Sequence, residues 1–446
     1  MGDMMDKINA DDLNIPNLGP GTIWSPLHRL ADTTEGSDSF VDDHQRILLN
    51  DTLECVNAMQ ARGEPLPSLE MAGPRRKIFF DPEQTICGIV TCGGLCPGLN
   101  DVIRGLVMQL NYRYGVRKVY GFRYGYEGFI EEYGHSVETL TPQSVSNLHR
   151  FGGTFLGTSR GPQDIGRILD RLDDFGINVL FVIGGDGTLR GALDISRQAK
   201  ERGRPISVVG IPKTIDNDIM YMDKSFGYET AFAAAVHSIQ SAHTEAQGSS
   251  NGLGLVKLMG RHSGFITCSA VLSTNEVNFA LIPEVPFALE GEQGLLETLR
   301  HRIETRRHAV IVVAEGAGQD YIDASDAGSD QSGNVRLKDI GLYLKQRIEQ
   351  YFKSISMELN LKYIDPSYII RSVPASPQDS GYCMRLAQAA VHAAMAGKTA
   401  MLVARWHGHF VHLPIHLATS GRKRVDPAGD LWQSVLESTG QPARFR

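Results

Sequence analysis

Five polar, glycine-rich segments hold most of the residues in this 446-residue chain whose types suit chemistry. They are TCGGLCPGLND (91–101), GGDGT (184–188), PKTIDND (212–218), MGRHSG (259–264) and EGAG (315–318). In GGDGT one carboxylate, Asp186, stands between glycines whose bare backbone can approach an anion. Backbone N–H groups around phosphate, with one carboxylate for a metal that keeps its waters, describe a Mg2+–phosphate site. PKTIDND sets Asp216 and Asp218 two residues apart, so both point the same way in an extended stretch. Two such carboxylates repel unless a metal, a cation or a substrate proton compensates. One of them is a candidate base for a hydroxyl group. Arg160 follows GTS, Arg261 lies in MGR and Arg371 ends SYIIR, and each offers forked donors to phosphate oxygens. Taken singly, each feature has a plainer reading. Gly93-Gly94 suits a tight turn, Asp186 a helix N-cap, PKTIDND an Asx-turn, and any one arginine a surface ion pair.

The case for chemistry rests on position, since each segment directly follows a short apolar run. Six such runs read as strands: 86–91, 177–183, 206–211, 253–258, 309–314 and 400–405. They are β-branched and continuous rather than alternating, as parallel strands covered on both faces are. Helical stretches at 100–110, 188–202 and 381–397 follow three of them. Strand–helix alternation predicts an α/β doubly wound sheet in two lobes, with ligands at the carboxyl ends of the strands. Residues 1–76 read as an extension that packs on the body, with one amphipathic helix within 48–63. ARWHGHFVHLPI (404–415) reads as a hairpin turning at His407-Gly408, its histidines at solvated strand positions. The polar stretch 318–339 reads as a surface loop.

Composition narrows the class. Lys and Arg number 44 against 51 Asp and Glu, a net charge of −7 with no basic stripe, which argues against a nucleic-acid partner. No apolar run approaches a membrane span, and the acidic start lacks a secretory core, so no membrane partner is expected. The 6 cysteines are too sparse for a disulfide scaffold, and Cys92–Cys96 has neither a redox nor a zinc spacing. A cytoplasmic protein in a reducing compartment is the expectation.

At these residues the sequence resembles the 6-phosphofructokinase family. The matching segments are TCGGLCPGLNDVIRG (91–105), GGTFLGTSRG (152–161), IGGDGTLRGA (183–192), GIPKTIDND (210–218), FGYETA (226–231), KLMGRHSG (257–264), AEG (314–316) and SYIIRSVPASPQDS (367–380). They occur in family order across about residues 78–415, and the form looks like the long ATP-dependent group related to pyrophosphate-dependent enzymes. The resemblance implies the two-lobed, Rossmann-like α/β phosphofructokinase fold with an N-terminal extension (1–76). It implies an ATP/Mg lobe at 77–230, a fructose 6-phosphate lobe at 231–400 and a segment at 401–446 crossing back between lobes. It also implies phosphoryl transfer from ATP to the 1-hydroxyl of fructose 6-phosphate, in glycolysis. Asp216 would take the hydroxyl proton, with Arg160, Arg261 and Lys213 as further catalytic groups. Asp186 would hold Mg2+, while Gly94, Arg160, Gly161, Gly185, Asp186, Gly187 and Thr188 would bind the nucleotide. Thr214, Ile215, Asp216, Met259, Gly260, Arg261, Glu315, Tyr368 and Arg371 would bind the sugar phosphate. An allosteric homo-oligomer, tetramer or dimer, is implied as well.

Donor choice turns on Gly187, where pyrophosphate users of the family carry Asp; glycine leaves room for a nucleotide's α-phosphate. Lys213 is typical of pyrophosphate users, so pyrophosphate stays the alternative, as does a non-catalytic sensor on the same fold. Other kinase classes with GGDGT do not account for PKTIDND, MGRHSG or SYIIR. Gly252 and Lys362 stand where shorter bacterial enzymes have arginines that reach a neighbouring subunit's substrate, leaving Lys362 or Lys257 as candidate substitutes.

Overall fold

The structure is a computed structural model that describes residues 8, 10–27, 40–322, 328 and 337–446. Most of the polar stretch 318–339, expected as a surface loop, lies outside the described residues. The chain divides into two compact units. One comprises 1–214, 219–227 and 374–421, the other 215–218, 228–373 and 422–446.

The strands, in chain order, are β1 Ile23–Trp24, β2 Arg46–Leu48, β3 Ser68–Met71, β4 Lys77–Ile78, β5 Ile86–Thr91, β6 Lys118–Phe122, β7 Val137–Thr139, β8 Val179–Gly184 and β9 Ser207–Pro212. They continue with β10 Gly252–Leu258, β11 Phe279–Leu281, β12 His308–Ala314, β13 Asn360–Ile364, β14 Met401–Trp406 and β15 His409–Pro414. The six expected runs are all strands, within two residues of their predicted ends.

The first unit is built on a nine-stranded sheet of order β2-β3-β15-β14-β9-β8-β5-β6-β7. Five successive strands, β14-β9-β8-β5-β6, run parallel, with Ile89 opposite Phe181 and Val182 opposite Gly210. Every residue of β8 and β9 is buried, which is why these runs read as continuous rather than alternating. The helix Leu99–Gln109 follows β5, Asp186–Glu201 follows β8, and Pro377–Met395 packs on Leu99–Gln109. Close packing there needs Gly105, where a Cβ would sit 2.8 Å from that of Ala387. The second unit holds a four-stranded parallel sheet, β11-β12-β10-β13, with its own core around Leu255, Ile311, Leu299 and Phe352.

The N-terminal segment supplies two strands at one end of the sheet, the edge strand β2 and its neighbour β3, and Leu13, Leu49 and Leu69 join the sheet's core. Among its described residues the α-helix is shorter than read, Leu53–Arg62, and buries no residue. Leu48 belongs to β2 instead, and Leu53 is 74% exposed.

The hairpin turns at His407-Gly408 as expected, but His412 is fully buried rather than solvated. Its Nδ1–H donates to Glu70 Oε1 at 2.8 Å. Glu70 also accepts from Arg75 (2.8 Å) and Lys398 (3.0 Å), and both of these cations reach Asp43. Glu70, buried, and Asp43, half-exposed, thus tie the N-terminal segment by charge to the other end of the unit's sequence. Burial alone would raise the Glu70 carboxyl, yet the His412 hydrogen bond and the Lys398 charge outweigh it and hold it at about 2. That stability is present above the ordinary carboxylate range and lost as pH falls toward 2. Lys398→Met leaves Glu70 undercompensated while Arg75 remains, so a loss of about 3 kcal/mol is expected, the low end for breaking a buried pair. Urea unfolding at pH 7 measures it, and an unchanged midpoint would remove the network from the account of stability.

Candidate active site

In the first unit, the loops after β5, β8 and β9 and the loop 152–161 are laced together. Cys92 N donates to the Ile183 carbonyl at 2.9 Å and Gly93 N to the Ser159 carbonyl at 3.0 Å. Thr158 Oγ1 donates to the Gly93 carbonyl at 2.6 Å. Lys213 N donates to the Gly184 carbonyl at 2.9 Å, and Lys213 Nζ donates to the Gly94 carbonyl at 2.7 Å. Gly94, Arg160, Gly161, Gly185–Thr188 and Lys213 therefore share one rim. Arg160 is exposed, while Lys213 is buried.

Asp186 is the first residue of its helix, where backbone N–H groups lack intrahelical partners and favour an anion. Its Oδ2 accepts from Arg190 Nη2 at 2.7 Å, one helical turn on. Tyr126, which the sequence reading passed over, donates its hydroxyl to the Thr188 carbonyl at 2.7 Å and so fixes this first turn. Gly187 is exposed, and a Cβ added to it would meet no atom within 4 Å. Among the described residues no group of three or more His, Cys, Asp or Glu could hold a metal ion. A lone carboxylate beside backbone anion donors fits a hard cation held jointly with phosphate oxygens and water, the usual mode for Mg2+.

The second unit gathers the acidic turn, the loops after β10 and β12, and the helix Ser367–Ser372. Glu315 N donates to the Leu258 carbonyl (2.9 Å) and Gly316 N to the Gly260 carbonyl (3.1 Å), which joins the two loops. Gly260 has φ +127°, and a Cβ there would lie 2.5 Å from the Ser263 carbonyl oxygen, so MGR turns sharply only with glycine. Ser263 Oγ donates to the Asp216 carbonyl at 2.9 Å. Burial pushes the Asp216 carboxyl up, to about 8, and the charges of Asp218 and Glu315 add to it. The backbone N–H and the cation of Arg261 oppose this rise. Glu315 is also raised by burial, against the pull of Arg261 and Lys257. Two carboxyl groups inclined to hold protons, beside a guanidinium, suit removal of a proton next to an anion.

Arg371 and Tyr368 lie one turn apart on the helix Ser367–Ser372, the guanidinium 4.7 Å from the ring centroid. Tyr368 is 75% exposed and free to meet a ligand. Lys257, offered above as a stand-in for a missing arginine, is instead committed inside the unit. Its Nζ lies 2.9 Å from Asp339 and 2.8 Å from Asp365, and these hydrogen bonds outweigh burial and raise its proton affinity. Asp365 in turn accepts from Ser367 N at 3.1 Å, so Lys257 anchors the start of the helix that carries Tyr368 and Arg371. Gly252 opens β10, where a Cβ would fall 2.0 Å from the Ala246 carbonyl oxygen, so no arginine fits there.

Among the described residues, nine parallel strands, glycine-rich strand-end loops, a helix-start carboxylate in one unit and a proton-hungry aspartate beside arginine in the other each suit phosphoryl transfer on an α/β fold. The phosphofructokinase family model matches residues 86–394, and the chain belongs to that family. It is 49% identical over 444 residues to the ATP-dependent 6-phosphofructokinase of Amycolatopsis methanolica, covering 98% of this chain and 96% of that one. The enzyme of the same name from Borreliella burgdorferi is 48% identical over 443 residues, covering 98% of each chain. Among solved structures, a pyrophosphate-dependent phosphofructokinase from Marinobacter aquaeolei superposes with a TM-score of 0.65 at 20% identity, over 81% of this chain and 93% of that one. Phosphofructokinase from Saccharomyces cerevisiae gives 0.61 at 23% identity, over 80% and 48%. At such identities the structural matches speak for the fold alone. No helix among the described residues is long and apolar enough to cross a membrane.

Proposed function

We propose that this chain is an ATP-dependent 6-phosphofructokinase, transferring the γ-phosphoryl group of ATP to the 1-hydroxyl of fructose 6-phosphate. The observation that carries the reading is Asp216, raised in proton affinity beside Arg261 and Glu315, in a chain whose full-length relatives bear that name. Asp216 takes the proton of the hydroxyl as its oxygen bonds to phosphorus. The bond from the γ-phosphorus to the bridging oxygen breaks, and ADP leaves. Little covalent help is available in such a transfer, so positioning and charge do most of the work. Arg160, Arg261 and Lys213 offset charge on the moving group.

Gly94, Arg160, Gly161 and the turn Gly185–Thr188 take the nucleotide, and Asp186 holds Mg2+. When bound, the metal neutralises phosphate charge; Arg190 must share or release the Asp186 carboxylate to admit it. Thr214, Ile215, Met259, Gly260, Arg261, Glu315, Tyr368 and Arg371 take the sugar phosphate. We place the enzyme in the cytoplasm, as a homo-oligomer acting in glycolysis. Lys213 is what favours pyrophosphate as donor, and its hold on the Gly94 carbonyl gives it a second, purely architectural role.

A coupled assay with Mg2+ and fructose 6-phosphate, run in parallel with ATP and pyrophosphate, decides between them. Turnover with ATP alone is expected. Turnover with pyrophosphate alone would overturn the donor assignment, and binding of both ligands without turnover would make the chain a sensor.

A further inference from the structure

The run Arg422-Lys423-Arg424 sets three cations in a row, and the sequence reading assigned it nothing. Arg422 Nη1 donates to Asp218 Oδ2 at 2.8 Å, and Lys423 N donates to the Asp218 carbonyl at 2.8 Å. Consecutive residues thus hold both the side chain and the main chain of Asp218. Two residues on, Val425 N donates to Glu284 Oε1 at 2.8 Å. The same oxygen accepts from Gly264 N at 3.0 Å, at the close of MGRHSG. Lys423 Nζ lies 5.1 Å from the centroid of the Phe265 ring, the next residue. The segment 422–425 is therefore fastened on one side to the turn 215–218 and on the other to the loop that supplies Arg261.

We propose that Arg422 is a positioning residue for the reaction, holding Asp218 so that the turn presents Asp216 to the substrate hydroxyl and muting the charge of Asp218 upon it. This rests on the phosphofructokinase reading and deepens it. Asp216 faces Asp218 from its own turn, Arg261 from the loop after β10 and Glu315 from the loop after β12. Asp218 faces Arg422 and His262, and His262 is held below its ordinary range by burial and by Arg422 and Arg261. Removing the Arg422 cation strengthens the repulsion that Asp216 feels from Asp218. Asp216 then holds its proton to higher pH.

The test is the pH profile of kcat/KM for fructose 6-phosphate in the full-length wild type, Arg422→Gln and Arg422→Lys. Arg422→Gln is expected to lower kcat by roughly tenfold or more and to move the acid limb up by roughly half to one pH unit. Arg422→Lys, which restores a cation, is expected to recover most of both. A lower kcat with an unmoved limb and no rescue by lysine would overturn the proposal, as would wild-type behaviour of Arg422→Gln. Asp218→Asn supplies a second arm should Arg422→Gln not fold, and is expected to move the limb down. A third arm is independent of turnover. The Tm gained on Asp216→Asn should be larger in the Arg422→Gln background than in wild type, and equal gains would sink the coupling. An inactive wild type with unequal gains would reject the enzymatic reading and leave the Arg422–Asp218–Asp216 linkage standing.

Discussion

Asp216→Asn is expected to reduce kcat by about three orders of magnitude and, at the same time, to raise Tm. The first effect follows from removing a base while keeping its volume, within the range that general-base groups supply. Asn keeps an oxygen that can accept from Arg261 N, so the turn has no reason to move. The second effect follows from linkage. Burial first, and then Asp218 and Glu315, raise the folded-state carboxyl to about 8. A carboxyl raised in the folded state leaves stability intact below its unfolded pKa and lowers it progressively as pH climbs toward the folded value. At pH 8 Asn therefore relieves a cost of about 2 kcal/mol, less than direct conversion of the shift because the surroundings relax. At pH 5 the gain in Tm should shrink. The wild type should in turn gain kcat/KM as pH rises toward 8, since only the ionised carboxylate accepts a proton. Scanning calorimetry at the two pH values, beside steady-state kinetics, checks both halves. An inactive variant that is also less stable would make Asp216 a structural residue, and an active one would free it of the base role.

The same repulsion explains what was legible in the sequence. Asp216 and Asp218 stood out because paired carboxylates two residues apart need compensation, and the structure supplies it from Arg261 and Arg422. The strands were legible because β5, β8, β9, β10, β12 and β14 bury both faces and so show as unbroken apolar runs. The edge strand β2 and its neighbour β3 were not, being three and four residues long with only Leu69 and Glu70 buried between them. Nor was the fate of His412, because its burial depends on a hydrogen bond to a carboxylate 342 residues away in sequence. Lys257 and Arg422 fall in the same class. Their carboxylate partners lie on distant segments, and no periodicity connects them. The three cations at 422–424 stand out in a chain of net charge −7, but nothing in the sequence connects them to the acidic turn.

Gly187→Asp is expected to fold as well as the wild type and to lose ATP-dependent turnover by about a hundredfold or more. The space exists, since a Cβ at Gly187 meets nothing within 4 Å and the residue lies in the exposed first turn of the helix Asp186–Glu201. An added carboxylate there is locally favoured by the helix dipole, so Tm should not fall. Its cost falls on the donor. A second negative charge next to Asp186 repels a nucleotide's phosphates and fills the room that glycine leaves, and a hundredfold loss corresponds to about 3 kcal/mol of transition-state binding. The KM for fructose 6-phosphate should stay within a few-fold, because Arg261, Tyr368 and Arg371 belong to the other unit's set of residues. Lys213 already provides the cation that pyrophosphate users of the family carry, so the variant is also expected to gain measurable turnover with pyrophosphate. Full ATP activity in Gly187→Asp would show that the donor is selected elsewhere on the rim formed by Gly94, Arg160 and Lys213. Loss of ATP turnover with no gain from pyrophosphate would separate two effects that one glycine is here held to unite, repulsion of the nucleotide and admission of the smaller donor.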